Sequence, residues 1–138
     1  MAIRTKNIGE QIIEFVVPAI QAADTNLATA FADFDGFIKN IYAELITAGI
    51  TGNQKVDIHK NGVTIFGGAT KINFATTSKT ATYDTVTDVL AQIVKGDLLS
   101  LDVDSIHSGT AGDGLLVQMR IVRGRPGALT NVAPASLN

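Results

Sequence analysis

The chain has no cysteine and no tryptophan, and only two histidines and three prolines among its 138 residues. Without cysteine there are no disulfides and no thiolate metal sites, although the redox compartment is left open. The formal net charge is −2, so no overall basic field draws in nucleic acid. No apolar run approaches the roughly 18 residues that span a bilayer as a helix. Arg4 and Lys6 precede "IIEFVVPAI", but Glu10, Gln11 and Glu14 interrupt what a signal core needs, so a cleaved leader is not expected.

What is present is apolar residues in alternation. The length suits one domain, which can bury about two-thirds of its unfolded surface. The hydrophobic share is 46%, more than a small soluble monomer needs, which points to burial against other chains. In "KVDIHKNGVTIFGG" Asn61 and Gly62 tolerate the positive φ that a type I′ turn requires. A two-residue hairpin then sets Lys60 opposite Val63 and Ile58 opposite Ile65. Val56, Ile58 and Ile65 share one face, and Asp57, His59, Thr64 and Phe66 share the other.

In "LLSLDVDSI" Leu99, Leu101 and Val103 alternate with Ser100, Asp102 and Asp104. In "GLLVQMRIVRGR" Leu115, Val117, Met119 and Ile121 alternate with Gln118 and Arg120. The turn-like "HSGTAGDG" between these runs suggests antiparallel neighbours. "KINFATTSKTATYDTV" reads as two short strands around a loop near Ser78. "EFVVPAI" reads as an edge strand, because Pro18 cannot donate to a central ladder. "DFDGFIKNIYAELITAG" is ambiguous: Phe37, Ile38, Ile41, Tyr42, Leu45 and Ile46 recur at helical spacing, yet Ile41, Ala43 and Leu45 also alternate with Tyr42 and Glu44. "TDVLAQIVKGD" poses the same question, with Gly96 as a helix stop.

Candidate chemistry is sparse. His59 with Asp57, and His107 with Asp102 and Asp104, offer nitrogen and oxygen ligands for a metal. The plainer expectation is that all five are solvent-facing, with the histidines exposed. "DVDSIHSG" lacks the spacing, central glycine and distal glutamate of an EF-hand. Asp102 and Asp104 lie side by side on one strand, not flanking a bond as glycosidase carboxylates do. No P-loop, G-x-S-x-G or cysteine nucleophile exists. Gly67 and Gly68 suit a bend or bulge. Arg120, Arg123 and Arg125 suit interface salt bridges or a solvated edge, since the aromatics that stack on nucleic acid are missing. No catalytic, cofactor-binding or metal residue is assigned, and the chain is not read as an enzyme.

From residue 55 to about 122 the order of these pieces resembles the small jelly-roll or β-sandwich module of bacteriophage decoration and tail proteins. The resemblance rests on Val56, Asp57, Lys60, Asn61, Gly62, Ile65 and Phe66, then on Gly96, Asp97, Leu99, Asp102, Val103, Asp104 and Ile106. His59 and His107 depart from it, standing where that pattern has a small polar residue and a glycine. The resemblance implies an all-β antiparallel sandwich of jelly-roll type and makes "FIKNIYAELITAG" a strand. The expected organisation is an N-terminal arm over residues 1–10, a sandwich over 11–125 and a C-terminal arm over 126–138. The implied function is capsid decoration on the surface of a phage virion: a cement protein, homotrimeric, bound to the major capsid protein. No small-molecule substrate, cofactor, membrane or nucleic-acid partner is implied. The alternatives are a tail or fibre component that contacts the host, and a carbohydrate-binding jelly-roll module, for which only Tyr42 and Tyr83 supply tyrosine platforms.

Overall fold

The computed structural model describes residues 10–19, 22–68, 70–84, 86 and 88–124. Arg125 and the expected arms lie outside these, except Glu10, which opens the first strand. The strands are β1 (Glu10–Val17), β2 (Asp24–Phe31), β3 (Gly36–Thr47), β4 (Gln54–Lys60), β5 (Val63–Thr64), β6 (Ile72–Phe74), β7 (Thr82–Tyr83), β8 (Gln92–Ile93), β9 (Leu98–Ser105) and β10 (Asp113–Arg123). One helical turn, α1 (Asp88–Ala91), precedes β8. They build two antiparallel sheets. The four-stranded sheet has the order β1-β10-β3-β8; the six-stranded sheet has β2-β9-β4-β6-β7, with β5 beside β4. The result is an all-β sandwich. Among the described residues no helix is long and apolar enough to cross a membrane.

The alternation read in the sequence becomes the core. Leu115, Val117, Met119 and Ile121 of β10, with Phe15 of β1 and Leu45 of β3, face Leu99 and Leu101 of β9 and Val56 and Ile58 of β4. Each such side chain contributes about 1.5–3 kcal/mol by leaving water. The hairpin forms as expected: Lys60 pairs Val63, and Asn61 and Gly62 hold φ of 52° and 85°. The Ile65 amide donates to the Ile58 carbonyl. β6 and β7 pair around the Ser78 loop. β1 lies at a sheet edge with Pro18 just beyond it.

The segment with helical spacing is a strand, and its register explains the spacing. β3 pairs β10 with a shift between Arg120 and Ile121, so Arg120 faces Asn40, Ile121 faces Ile38, and Lys39 has no partner. That bulge reverses the phase of alternation. Ile38 and Ile41, three apart, both pack on the core, which imitates one face of a helix.

Four expectations are corrected. β9 and β10 are not neighbours: β9 pairs β2 and β4, while β10 pairs β1 and β3. The segment from Ile106 to Gly112 arches from one sheet to the other, tied down by bonds from Gly109 and Thr110 to the Ile50 carbonyl. Phe66 does not share the outer face of the hairpin. The chain bends at Gly67 and Gly68, and Phe66 enters the core. Gly96 does not stop a helix; α1 has ended at Ala91, and Gly96, at φ 96°, shapes the turn into β9. Finally, four of the five groups expected to face solvent do not: His107 is buried beneath the arch, Asp57 and Asp102 are buried, and His59 is half-buried among carboxylates.

Candidate functional site

Two places stand out, one polar and one apolar. The polar one lies on the outer side of the six-stranded sheet. β4 and β9 pair so that Asp57 stands opposite Asp102. Their side chains are 1% and 6% exposed. A buried carboxylate is costly unless paired and hydrogen-bonded, and two of them together more so. His59, two residues along β4 and therefore on the same face, answers both. Its Nε2 is 3.2 Å from Asp57 Oδ2 and its Nδ1 is 2.8 Å from Asp102 Oδ2. Lys71 Nζ lies 3.0 Å from Asp57 Oδ2 and 2.7 Å from Asp104 Oδ2. The Thr64 hydroxyl donates to Asp57 Oδ1 at 2.6 Å, and the Asn26 amide donates to Asp102 Oδ1 at 2.8 Å.

Every oxygen of the two buried carboxylates therefore has a protein partner. The partners come from β2, β4, β5 and the residue leading into β6. Asn26 reaches Asp102 because β2 departs from regular pairing between Asp24 and Ala28, with Asn26 at φ 53°. The hydrogen bond to Asp104 holds the Lys71 ammonium above its ordinary pKa of 10.5; burial opposes it and Asp57 adds to it. No group of three metal-ligating residues with the geometry of a metal site occurs among the described residues. The arrangement is a clasp that ties the outer layer of this sheet together. The sequence placed Asp57, His59, Asp102 and Asp104 on outward faces, and pairing brings those faces into one cluster. Lys71 has no sequence signal: it precedes a three-residue strand and carries no pattern of its own.

His107 is a separate case. Its Nε2 lies 3.3 Å from the Ala75 carbonyl, while Nδ1 has no partner. It packs against Gly49, where a Cβ would overlap the ring. The arginines divide as well. Arg120 Nε is 3.8 Å from Glu10 Oε1, and Arg123 lies over the Phe34 ring at 5.2 Å.

The apolar place is the outer face of the four-stranded sheet. Register sets Val16, Leu116 and Glu44 in one row across β1, β10 and β3, then Glu14, Gln118 and Tyr42 in the next row on that face. Ile46 adjoins Gly114 beyond the first row. Val16, Tyr42 and Ile46 are 57%, 55% and 73% exposed. A shallow groove lined by Tyr42, Glu44, Leu116, Gln118, Thr80 and Tyr83 runs beside them. The Tyr83 hydroxyl accepts from the Ala43 amide at 2.7 Å and so closes the adjacent edge of β3. Burial raises the Tyr83 pKa above 10.0.

No family model, no curated protein and no solved structure matches this chain.

Proposed function

We propose that this chain is a structural virion protein, a capsid decoration protein that self-associates, as a trimer, and binds the major capsid protein of a phage head. The observation that carries this reading is the apolar patch of exposed Val16, Ile46 and Tyr42 around half-buried Leu116 on one sheet of the sandwich. Side chains of that size in one contiguous patch gain free energy when another surface covers them. Strand order supports the jelly-roll part of the reading. Leaving aside the short β5 and β7, the chain alternates sheets at each step except β4 to β6, and its first and last strands lie side by side. Sheets of four and four in that interleaved order are what two nested Greek keys produce.

Co-sedimentation of purified protein with capsids, together with immunogold labelling of virions, tests the proposal. Binding to heads at saturating stoichiometry is the expected result. A monomer at micromolar concentration that fails to bind capsids would sink it. One observation favours a second reading as a glycan-binding module: Tyr42 and Tyr83 line the same groove with Glu44 and Gln118. A glycan array separates the two.

A further inference from the structure

We propose that residues 1–9 of one copy dock on the outer face of the four-stranded sheet of a neighbouring copy, across Val16, Leu116, Ile46 and Tyr42. This rests on the reading that the chain self-associates, and it names the surface and the occupant.

The patch is apolar with an acidic border. Glu44 shares a row with Val16 and Leu116, and Glu14 lies in the next row on that face. Among the described residues Glu44 has no ion-pair partner, and Glu14 meets only the neutral amide of Gln118 at 2.6 Å. Glu10, at the far end of the same face, is already taken by Lys39 and Arg120. The free negative charge thus sits beside the exposed apolar residues.

Of the two terminal stretches beyond the described residues, only one has a composition that matches this. Residues 1–9, "MAIRTKNIG", carry Ile3 and Ile8 with Arg4 and Lys6 and no acid; residues 126–138 carry no charged side chain. An apolar segment with two cations complements an apolar patch with two anions, and the attraction fixes register as well as steering the encounter.

Length suffices for either copy, and the direction of β1 favours a neighbour. Nine extended residues span about 30 Å. β1 runs from Glu10 to Val17, so the patch near Val16 lies about 20 Å along the strand from Glu10. To cover the patch of its own copy the segment would have to reverse at Glu10 and run back about 20 Å over its own sheet, a reversal that the patch of a neighbouring copy does not require. Exchanged around a ring, each copy gives one segment and receives one, which closes the assembly.

The absence of cysteine makes a covalent test unambiguous. In the 138-residue chain carrying Ile3→Cys and Ile46→Cys, mild oxidation should give linked multimers on a non-reducing gel. An intrachain link running as monomer, or no link, overturns the inference. Charge exchange is the second arm. Arg4→Glu and Glu44→Arg should each raise the oligomer dissociation constant about fivefold, and the double variant should recover it. Loss with no recovery in the double variant also overturns it. A discrete oligomer by sedimentation without the crosslink refutes the docking while self-association stands. A monomer that also ignores capsids refutes both.

Discussion

Asp57 and Asp102 face each other across β4 and β9, both almost wholly buried, and His59 reaches one oxygen of each, at 3.2 and 2.8 Å. Removing the imidazole leaves two buried carboxylates opposite one another with fewer partners. His59→Ala should therefore destabilise by about 2–3 kcal/mol, below the 3–5 typical of fully buried pairs because the ring is partly exposed. Urea denaturation measures it. A cost under about 0.5 kcal/mol, which an exposed histidine would give, would show that the cluster does not act as a clasp.

Chelation separates the clasp from a metal centre. The carboxylate oxygens of Asp57 and Asp102 already have protein partners. EDTA should leave the melting temperature unchanged. A fall that added zinc or calcium restores would mean that a cation holds these carboxylates.

Two glycines give opposite kinds of cost. A Cβ at Gly62 meets nothing within 4 Å, but φ is +85°. Gly62→Val should cost about 1–2 kcal/mol, all of it backbone strain. At Gly36 a Cβ would lie 2.6 Å from the Val122 carbonyl oxygen, where β3 meets β10. Gly36→Ala should cost about 2–3 kcal/mol through strand separation. If Gly62→Val is as stable as the parent, the turn is not as described.

His107 is 2% exposed and its Nε2 lies within bonding distance of the Ala75 carbonyl. His107→Ala should cost about 1–3 kcal/mol through the lost bond and the cavity left beneath the arch. Amide exchange should rise between residues 106 and 112. Unchanged exchange there would argue that the ring does not support the arch.

Lys71 and Tyr83 both hold their protons more tightly in the folded state than their ordinary values of 10.5 and 10.0. A raised folded pKa contributes stability that is complete below the unfolded value and is lost as pH rises through the folded one. Melting temperature should therefore fall as pH climbs past about 10. Lys71→Met and Tyr83→Phe should each start lower at neutral pH and show a shallower alkaline fall. Parallel profiles for parent and variants would contradict this.

Legibility followed the range of the interaction. The Asn61-Gly62 turn was readable because a two-residue hairpin depends on φ at two adjacent positions. The faces of β9 and β10 were readable because alternation of period two fixes which side chains share a side. The strand character of residues 36–47 was blurred by a single unpaired residue, Lys39, whose bulge has no sequence mark.

By itself the sequence determined which side chains must leave water and where the chain turns tightly, since both depend on residues within a few positions of one another. Which strands pair was decided only by tertiary structure. A seven-residue connection from Ile106 to Gly112 could have returned as a hairpin, but it crosses between sheets because β9 and β10 each bury one apolar face against the other's layer. That choice set Asp57 against Asp102, buried His107 and half-buried His59. Contacts between residues 45 positions apart depend on the register of whole sheets, and no local pattern encodes it.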